Sequence, residues 1–205
     1  MTFLVDGSLG GTFPSWTTAT RPASPAVGQM GYNTTIGQFD SYTSGGWVSV
    51  ATTTSTSNKI TTSQMPTGTI LQVVNALYAT GVSTTSGTLS DTGLTATITP
   101  TSATSKILVL VNQNGGVKTT GTNNSIQLYL LRNSSAIAAI SERAGLTTNS
   151  IDMYLETLSI SFLDSPATTS AVTYKTQYAT FAPPNLIYLQ LVGCASTITL
   201  MEIAA

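Results

Sequence analysis

From Thr67 to Ala205 the chain is a succession of short segments in which apolar residues alternate with hydroxyl and amide residues. A period of two puts successive side chains on opposite faces of a strand, and it restricts the fold more than any other feature here. Segments 69–79 (TILQVVNALYA), 94–99 (LTATIT), 105–112 (SKILVLVN), 125–132 (SIQLYLLR), 135–141 (SAIAAIS), 153–162 (MYLETLSISF), 170–180 (SAVTYKTQYAT), 186–192 (LIYLQLV) and 196–204 (STITLMEIA) all read as strands. Alternation is cleanest near the end. Val172, Tyr174, Thr176 and Tyr178 oppose Thr173, Lys175 and Gln177, and Ile198, Leu200 and Glu202 oppose Thr197, Thr199, Met201 and Ile203.

Several of these segments are apolar on both faces. In an antiparallel sheet that pattern means both faces are covered, one by a partner sheet and the other by a neighbouring subunit. Only 150–162 could also suit a short helix. Turn-rich connections such as GVSTTSGTLSDTG, QNGGVKTTGTNN and FAPPN separate the segments. The expected fold is all-β, with a C-terminal antiparallel jelly-roll sandwich over 67–205.

Composition supports this reading. Roughly three residues in ten are Ser or Thr, and Thr, being β-branched, suits a pleated surface better than a helix. Recurrent Ile, Leu and Val and a mean hydropathy of +0.21 supply a core that a disordered hydroxyl-rich chain would lack. Charged residues are 7% of the chain, against about a quarter in ordinary domains. Near-neutral net charge, −1, favours association.

Upstream the pattern changes. Residues 1–20 show no sustained period and read as an attachment arm. Residues 21–50 open on RPASP and continue as the short apolar pieces VGQMGY, IGQFDSY and WVSV, a small three-stranded β-meander. Tyr32, Phe39, Tyr42 and Trp47 are its only source of core, so they are expected to pack rather than to stack on a ligand. Residues 51–66, ATTTSTSNKITTSQMP, read as a Ser/Thr-rich linker.

The chemistry that these residues can support is limited. No histidine occurs, which removes the usual general base and the commonest transition-metal ligand. Cys194 is the single cysteine, so no intrachain disulfide forms, and its place before a strand suggests a buried small hydrophobe. Seven basic residues dispersed along the chain make no phosphate-binding stripe, which argues against nucleic acid as a partner. Neither a signal peptide at MTFLVDGS nor a membrane-length apolar run is apparent, the longest aliphatic run being Ile107 to Val111.

Paired carboxylates are the remaining enzymatic option, with Asp91, Glu142, Asp152, Glu156, Asp164 and Glu202 as candidates. Asp91 in SDTG and Asp164 in LDSP are expected to bond turn backbone. Glu202, if inward, calls for a basic partner such as Arg132, Arg143 or Lys106. The sequence singles out no catalytic, metal-binding, cofactor-binding or receptor-binding residue, and the chain is expected to be neither an enzyme nor a cofactor protein. Loops 112–124 and 181–185 could offer amides and an apolar patch to a glycan or a protein.

Residues 20–50 follow the form RPxSPxxGxxxYNTxxGxFxxYxxGxW. It is met by Arg21, Pro22, Ser24, Pro25, Gly28, Tyr32, Asn33, Thr34, Gly37, Phe39, Tyr42 and Trp47. This element resembles one found in tail-fibre and other virion proteins of tailed bacteriophages. Residues 67–205, with GTILQVVNA, LTATITPTSATSKILVLV, SFLDSPATTSAVTYKTQ and STITLMEIAA, resemble the head domain of phage appendage proteins. The resemblance implies a homotrimeric jelly roll similar to tumour necrosis factor-like heads. It implies a virion location, assembly in the host cytoplasm, contacts with other virion proteins through residues 1–50, and host attachment through the head as a tail fibre. A capsid-decoration or head-fibre role without a receptor is the alternative, because no long shaft is present, and a polysaccharide-degrading spike is a remote one.

Overall fold

The computed structural model describes residues 4–6, 10–50 and 65–205, with side chains described from Phe13 onward. The chain divides into two compact units, 1–64 and 65–205. Most of the expected linker, residues 51–64, lies outside the described residues. Among the described residues no helix is long and apolar enough to cross a membrane.

In the first unit β1 (Leu4–Asp6) pairs with β2 (Gly10–Thr12). A second sheet contains β3 (Ser15–Trp16), β4 (Met30–Asn33), β5 (Gln38–Thr43) and β6 (Gly46–Ser49), in that order. The expected meander is β4 to β6. The structure adds β3, parallel to β4, so residues 15–16 of the expected arm are built into the sheet.

Its face is closed by Trp16, whose ring lies against Gly31. A Cβ at Gly31 would meet that ring and the Pro14 carbonyl, so only glycine fits under the indole. Trp16 contacts Trp47 edge-on at 5.0 Å, and Tyr42 contacts Trp47 at 5.3 Å. On the other face Phe39 sits between Phe13 (5.1 Å) and Tyr32 (5.5 Å). The four aromatics of the meander are therefore packing residues, drawn together with two more rings from the preceding segment.

The second unit is a jelly-roll-like sandwich. Its first sheet holds β7 (Ile70–Tyr78), β16 (Ser196–Ile203), β10 (Lys106–Lys118) and β13 (Met153–Asp164). Beyond the end of β16, β10 pairs instead with β15 (Ile187–Leu189), which pairs with β8 (Val82–Thr84). The second sheet runs β12 (Ser135–Ala144), β11 (Ile126–Arg132), β14 (Val172–Thr180), β9 (Ser90–Ile98). Every pairing in this unit is antiparallel. Along the sides of the sandwich β7 lies against β9 and β12 against β13.

Each expected strand is present, with shifted bounds. β10 runs through Asn114 and Gly115 to Lys118, so half of the expected loop 112–124 is strand. The segment 186–192 shortens to β15, and 150–162 is strand rather than helix. β8 lies inside a stretch expected to be loop.

The core follows the alternation. Val172, Tyr174, Thr176 and Tyr178 are buried, and so are Ile198, Leu200 and Glu202. Two apolar clusters result. The larger contains Leu94, Ile107, Val109, Leu130, Tyr174 and Leu200, and the smaller contains Ile126, Leu128, Tyr178, Ile187 and Leu189. A buried chain of polar groups crosses the sandwich from one sheet to the other. The Leu94 amide donates to the Thr92 hydroxyl (3.1 Å), which donates to Thr176 (2.6 Å), which donates to Gln113 Oε1 (3.0 Å). Gln113 Nε2 then donates to Ser196 Oγ (3.0 Å), which also accepts from the Asn114 amide (2.9 Å).

Changing Gln113 to leucine should cost about 1–3 kcal/mol, because Thr176 and Ser196 each lose one partner and keep another. The measurement is the denaturation midpoint at unchanged slope. No shift in midpoint would contradict the placement of this chain.

Candidate functional site

Three loops meet at one end of the sandwich, and two of them are segments singled out by sequence. Residues 119–124 follow β10, 145–152 join β12 to β13, and 181–186 follow β14. Thr119 donates to the Leu186 carbonyl through both its amide (3.1 Å) and its hydroxyl (2.8 Å). Buried Asn124 reinforces this by donating to the Thr119 and Leu186 carbonyls (3.0 and 3.1 Å) and accepting from Thr180 Oγ1 at 2.9 Å. Gly121, with φ at +144°, lies against the Asn185 side-chain amide, which a side chain at position 121 would have to displace.

The third loop joins through backbone and charge. The Asn123 amide donates to the Thr147 carbonyl (3.0 Å), and the Thr120 amide donates to Asp152 Oδ1 (2.7 Å). Lys118 is fully buried beneath, its Nζ donating to Thr147 Oγ1 at 2.6 Å. Beside these loops the Arg143 guanidinium carbon stands 4.2 Å from the centre of the Phe181 ring, close enough for a cation–π contact. The result is a hydrogen-bonded polar rim with one cation set against an aromatic ring.

The candidate carboxylates do not gather. Asp91 pairs with Lys175 (2.8 Å) and accepts from Gln177 Nε2 (2.7 Å), and these contacts, foremost the Lys175 bond, hold it below the usual aspartate range against partial burial. Asp164 accepts two bonds from Arg132 (3.0 and 3.1 Å) and one from the Tyr174 hydroxyl (2.7 Å). Burial, then that carboxylate, push the Tyr174 hydroxyl far above its ordinary range. Both aspartates thus lie in strands and bind side chains, not turn backbone as expected. Their turn-like SDTG and LDSP settings come from strand ends, where β9 begins and β13 stops.

Glu202 is fully buried, as its inward position requires, but no base meets it. Gln72 Nε2 donates to it at 2.6 Å, and the amide and hydroxyl of Thr101 each donate at 2.7 Å. Burial opposes its charge, yet the Gln72 and Thr101 donors keep its carboxyl below the usual glutamate range. Arg132 is engaged by Asp164, and Lys106 donates to Ser165 Oγ (3.3 Å). Glu142 accepts from the Tyr129 hydroxyl at 2.9 Å. Among the described residues no three acidic, Cys or His side chains come together as a metal site would need.

Cys194 is exposed, contrary to the expectation of burial. After β15 the chain turns through Gln190, Val192 and Gly193, all at positive φ, and this lifts Val192 and Cys194 outward. The turn sits on Gly115, whose missing side chain leaves room for the Leu191 amide and the Cys194 Cβ. A groove of about 210 Å³ opens there, floored by Gly115 and Gly116 and edged by Tyr154, Glu156 and Val192.

The outer face of the first sheet is apolar towards one end. Val73, Met201, Leu108 and Leu163 form one cross-strand row, with Ile70 and Ile203 beside it. Val73 is 55% exposed and Leu163 51% exposed in the single chain.

No family model matches the sequence, and no curated protein matches it. Among solved structures, the VP2 subviral particle of infectious bursal disease virus is 13% identical, covering 65% of this chain and 32% of that one, with a TM-score of 0.42. The Gx strain of the same virus gives 12% identity, 89% and 46% coverage, and a TM-score of 0.44. The chain therefore spans about a third to a half of these capsid structures. The likeness is loose, and neither a family nor a role for this chain follows from it.

Proposed function

We propose that this chain is a non-enzymatic structural protein of a bacteriophage virion, a homotrimer that attaches through residues 1–50 and displays its C-terminal sandwich to the host surface. The observation that carries this reading is the apolar row on the outer sheet face, in which Val73 and Leu163 are exposed and Met201 and Leu108 between them are half-buried. Contiguous apolar surface of this kind is a common mark of an interface. A second copy of the chain is the occupant that fits a chain so poor in charge. Trimerisation would multiply the affinity of three weak sites without any new contact.

Attachment by the first unit is supported by its construction. Two of the residues that carry the resemblance to phage proteins, Arg21 and Asn33, bond a buried carboxylate, Asp40. Arg21 pairs with it at 2.9 Å, Asn33 donates at 2.8 Å, and Arg21 also lies over the Trp47 ring. A decoration role without a receptor is the second reading.

Light scattering of the purified chain should give three times the monomer mass. Val73→Glu with Leu163→Glu should yield a folded monomer, since both residues are surface-directed in the single chain. A wild-type monomer at micromolar concentration would refute the trimer. Excess purified protein should also block adsorption of its phage to host cells. Tight binding to stripped virions together with no binding to cells would replace host recognition by decoration.

A further inference from the structure

The basic residues of the described chain are almost all spoken for. Arg21 pairs with Asp40, Arg132 with Asp164 and Lys175 with Asp91. Lys118 is buried on Thr147, and Lys106 bonds Ser165. Among the described residues Arg143 alone has neither an ion pair nor a side-chain hydrogen bond. It is exposed, at the end of β12, with its guanidinium carbon 4.2 Å from the centre of the half-buried Phe181 ring.

A cation–π contact restrains the guanidinium against the ring, and its N–H groups, which have no other side-chain partner, match a carboxylate or phosphate in two-pronged fashion. It stands beside the three-loop rim, where Thr122, Asn123, Thr148 and Asn149 are exposed. Hydroxyls and amides of this kind suit the hydroxyls of a sugar. Asp152, the carboxylate of the rim, is engaged by the Thr120 amide.

We propose that Arg143, in cation–π contact with Phe181, is an anion-selecting subsite at the loop end, and that it takes an acidic saccharide through a carboxylate or phosphate group. This rests on the host-recognition reading and specifies its ligand class. The neighbouring hydroxyls and amides would bind the uncharged part of the same chain of sugars.

The test uses the full-length protein, with galacturonate oligomers and glycerol-phosphate oligomers as acidic probes and maltose oligomers as the neutral one, titrated at low salt by NMR. At least one acidic probe should bind and the neutral one should not, and the stronger acidic probe identifies carboxylate or phosphate as the recognised group. Arg143→Gln should weaken binding about tenfold or more, as loss of a charge-assisted pair would. Arg143→Lys should recover part of the affinity, and neither variant should lower the melting temperature by more than about 4 °C, the shift expected from loss of one exposed cation–π contact. The subsite is overturned if neutral and acidic probes bind alike, if Arg143→Gln binds as the wild type does, or if no probe binds at millimolar concentration. Cell binding separates the two ideas. Wild-type protein and Arg143→Gln binding cells equally would remove the subsite and leave host recognition standing, whereas wild-type protein failing to bind cells would remove host recognition itself.

Discussion

Truncation after Ser196 is expected to leave the sandwich unit unfolded. The lost strand, β16, is hydrogen-bonded on both sides, to β7 along Ser196–Ile203 and to β10 along Thr197–Ile203. It contributes Ile198 and Leu200, both without solvent exposure, and the buried Glu202 that binds Gln72 and Thr101. Ala204 then ties down the start of the unit, with its amide donating to the Thr69 carbonyl and its own carbonyl accepting from Gly68. Each deleted aliphatic would cost about 2–5 kcal/mol, and β7 would lose its sheet partner entirely. Whole-domain stabilities are only about 5–15 kcal/mol. Far-UV circular dichroism and calorimetry should therefore show no cooperative transition for the truncated chain. A soluble product with a sharp melt would contradict the central place given to β16.

Replacing Asp40 by alanine should unfold the first unit and spare the second. Asp40 accepts from Arg21 Nε (2.9 Å), Asn33 Nδ2 (2.8 Å), Trp16 Nε1 (3.2 Å) and Ser49 Oγ (3.0 Å). Removing the acceptor strands a partly buried guanidinium and three further donors, a class of change that costs about 3–5 kcal/mol. A unit this small has little more stability than that to lose. Both tryptophans of the chain, Trp16 and Trp47, lie in this unit, so their emission reports on it alone. Asp40→Ala should red-shift that emission while the circular dichroism of the sandwich persists.

The same carboxylate makes the first unit acid-labile. Burial disfavours its charge, but Arg21, Asn33, Trp16 and Ser49 more than offset that and hold its pKa below the ordinary value. A depressed folded-state pKa gives stability that is complete above the unfolded value, about 3.9, and is lost as pH falls through the folded one. Tryptophan emission should therefore report loss of this unit below about pH 4. An unchanged emission in wild-type protein down to pH 2 would argue against Asp40 as its anchor.

Much of the architecture was legible because alternation survives in the head. In β14 and in β16 the buried and the half-exposed face could be told apart from residue identities alone. The misreadings have separate sources. Gln113, Asn114, Gly115 and Gly116 look like a turn, yet β10 passes through them because Gln113 has buried partners and the two glycines accept the close approach of β13 and the 190–194 turn. Short β8 carries one apolar residue, Val82, in a run of hydroxyls, too little for a periodic signal. Glu202 was expected to need a cation, but a buried carboxylate can also be held by neutral donors.

The candidate site was less legible for a different reason. Loops 119–124 and 181–186 are recognisable by composition, but their meeting depends on pairings made elsewhere in the sheets. The contact of Arg143 with Phe181 joins β12 to the loop after β14, and no local spacing announces such a pair. Asp40 is similar, standing at an unspecified position of the RPxSP element while the specified Arg21 and Asn33 point at it.

The polar chain from Thr92 to Ser196 has a consequence for how the strands choose their partners. Sliding one strand past another by two residues leaves every side chain on its original face, so alternation alone does not distinguish the native alignment from its neighbours. In this sandwich such a slide would carry Gln113 away from Thr176 and Ser196 and set buried hydroxyls against Val111 or Gly115. The four polar side chains thus act as a key cut for one alignment, in a chain whose repeating hydroxyl and aliphatic residues would otherwise tolerate several.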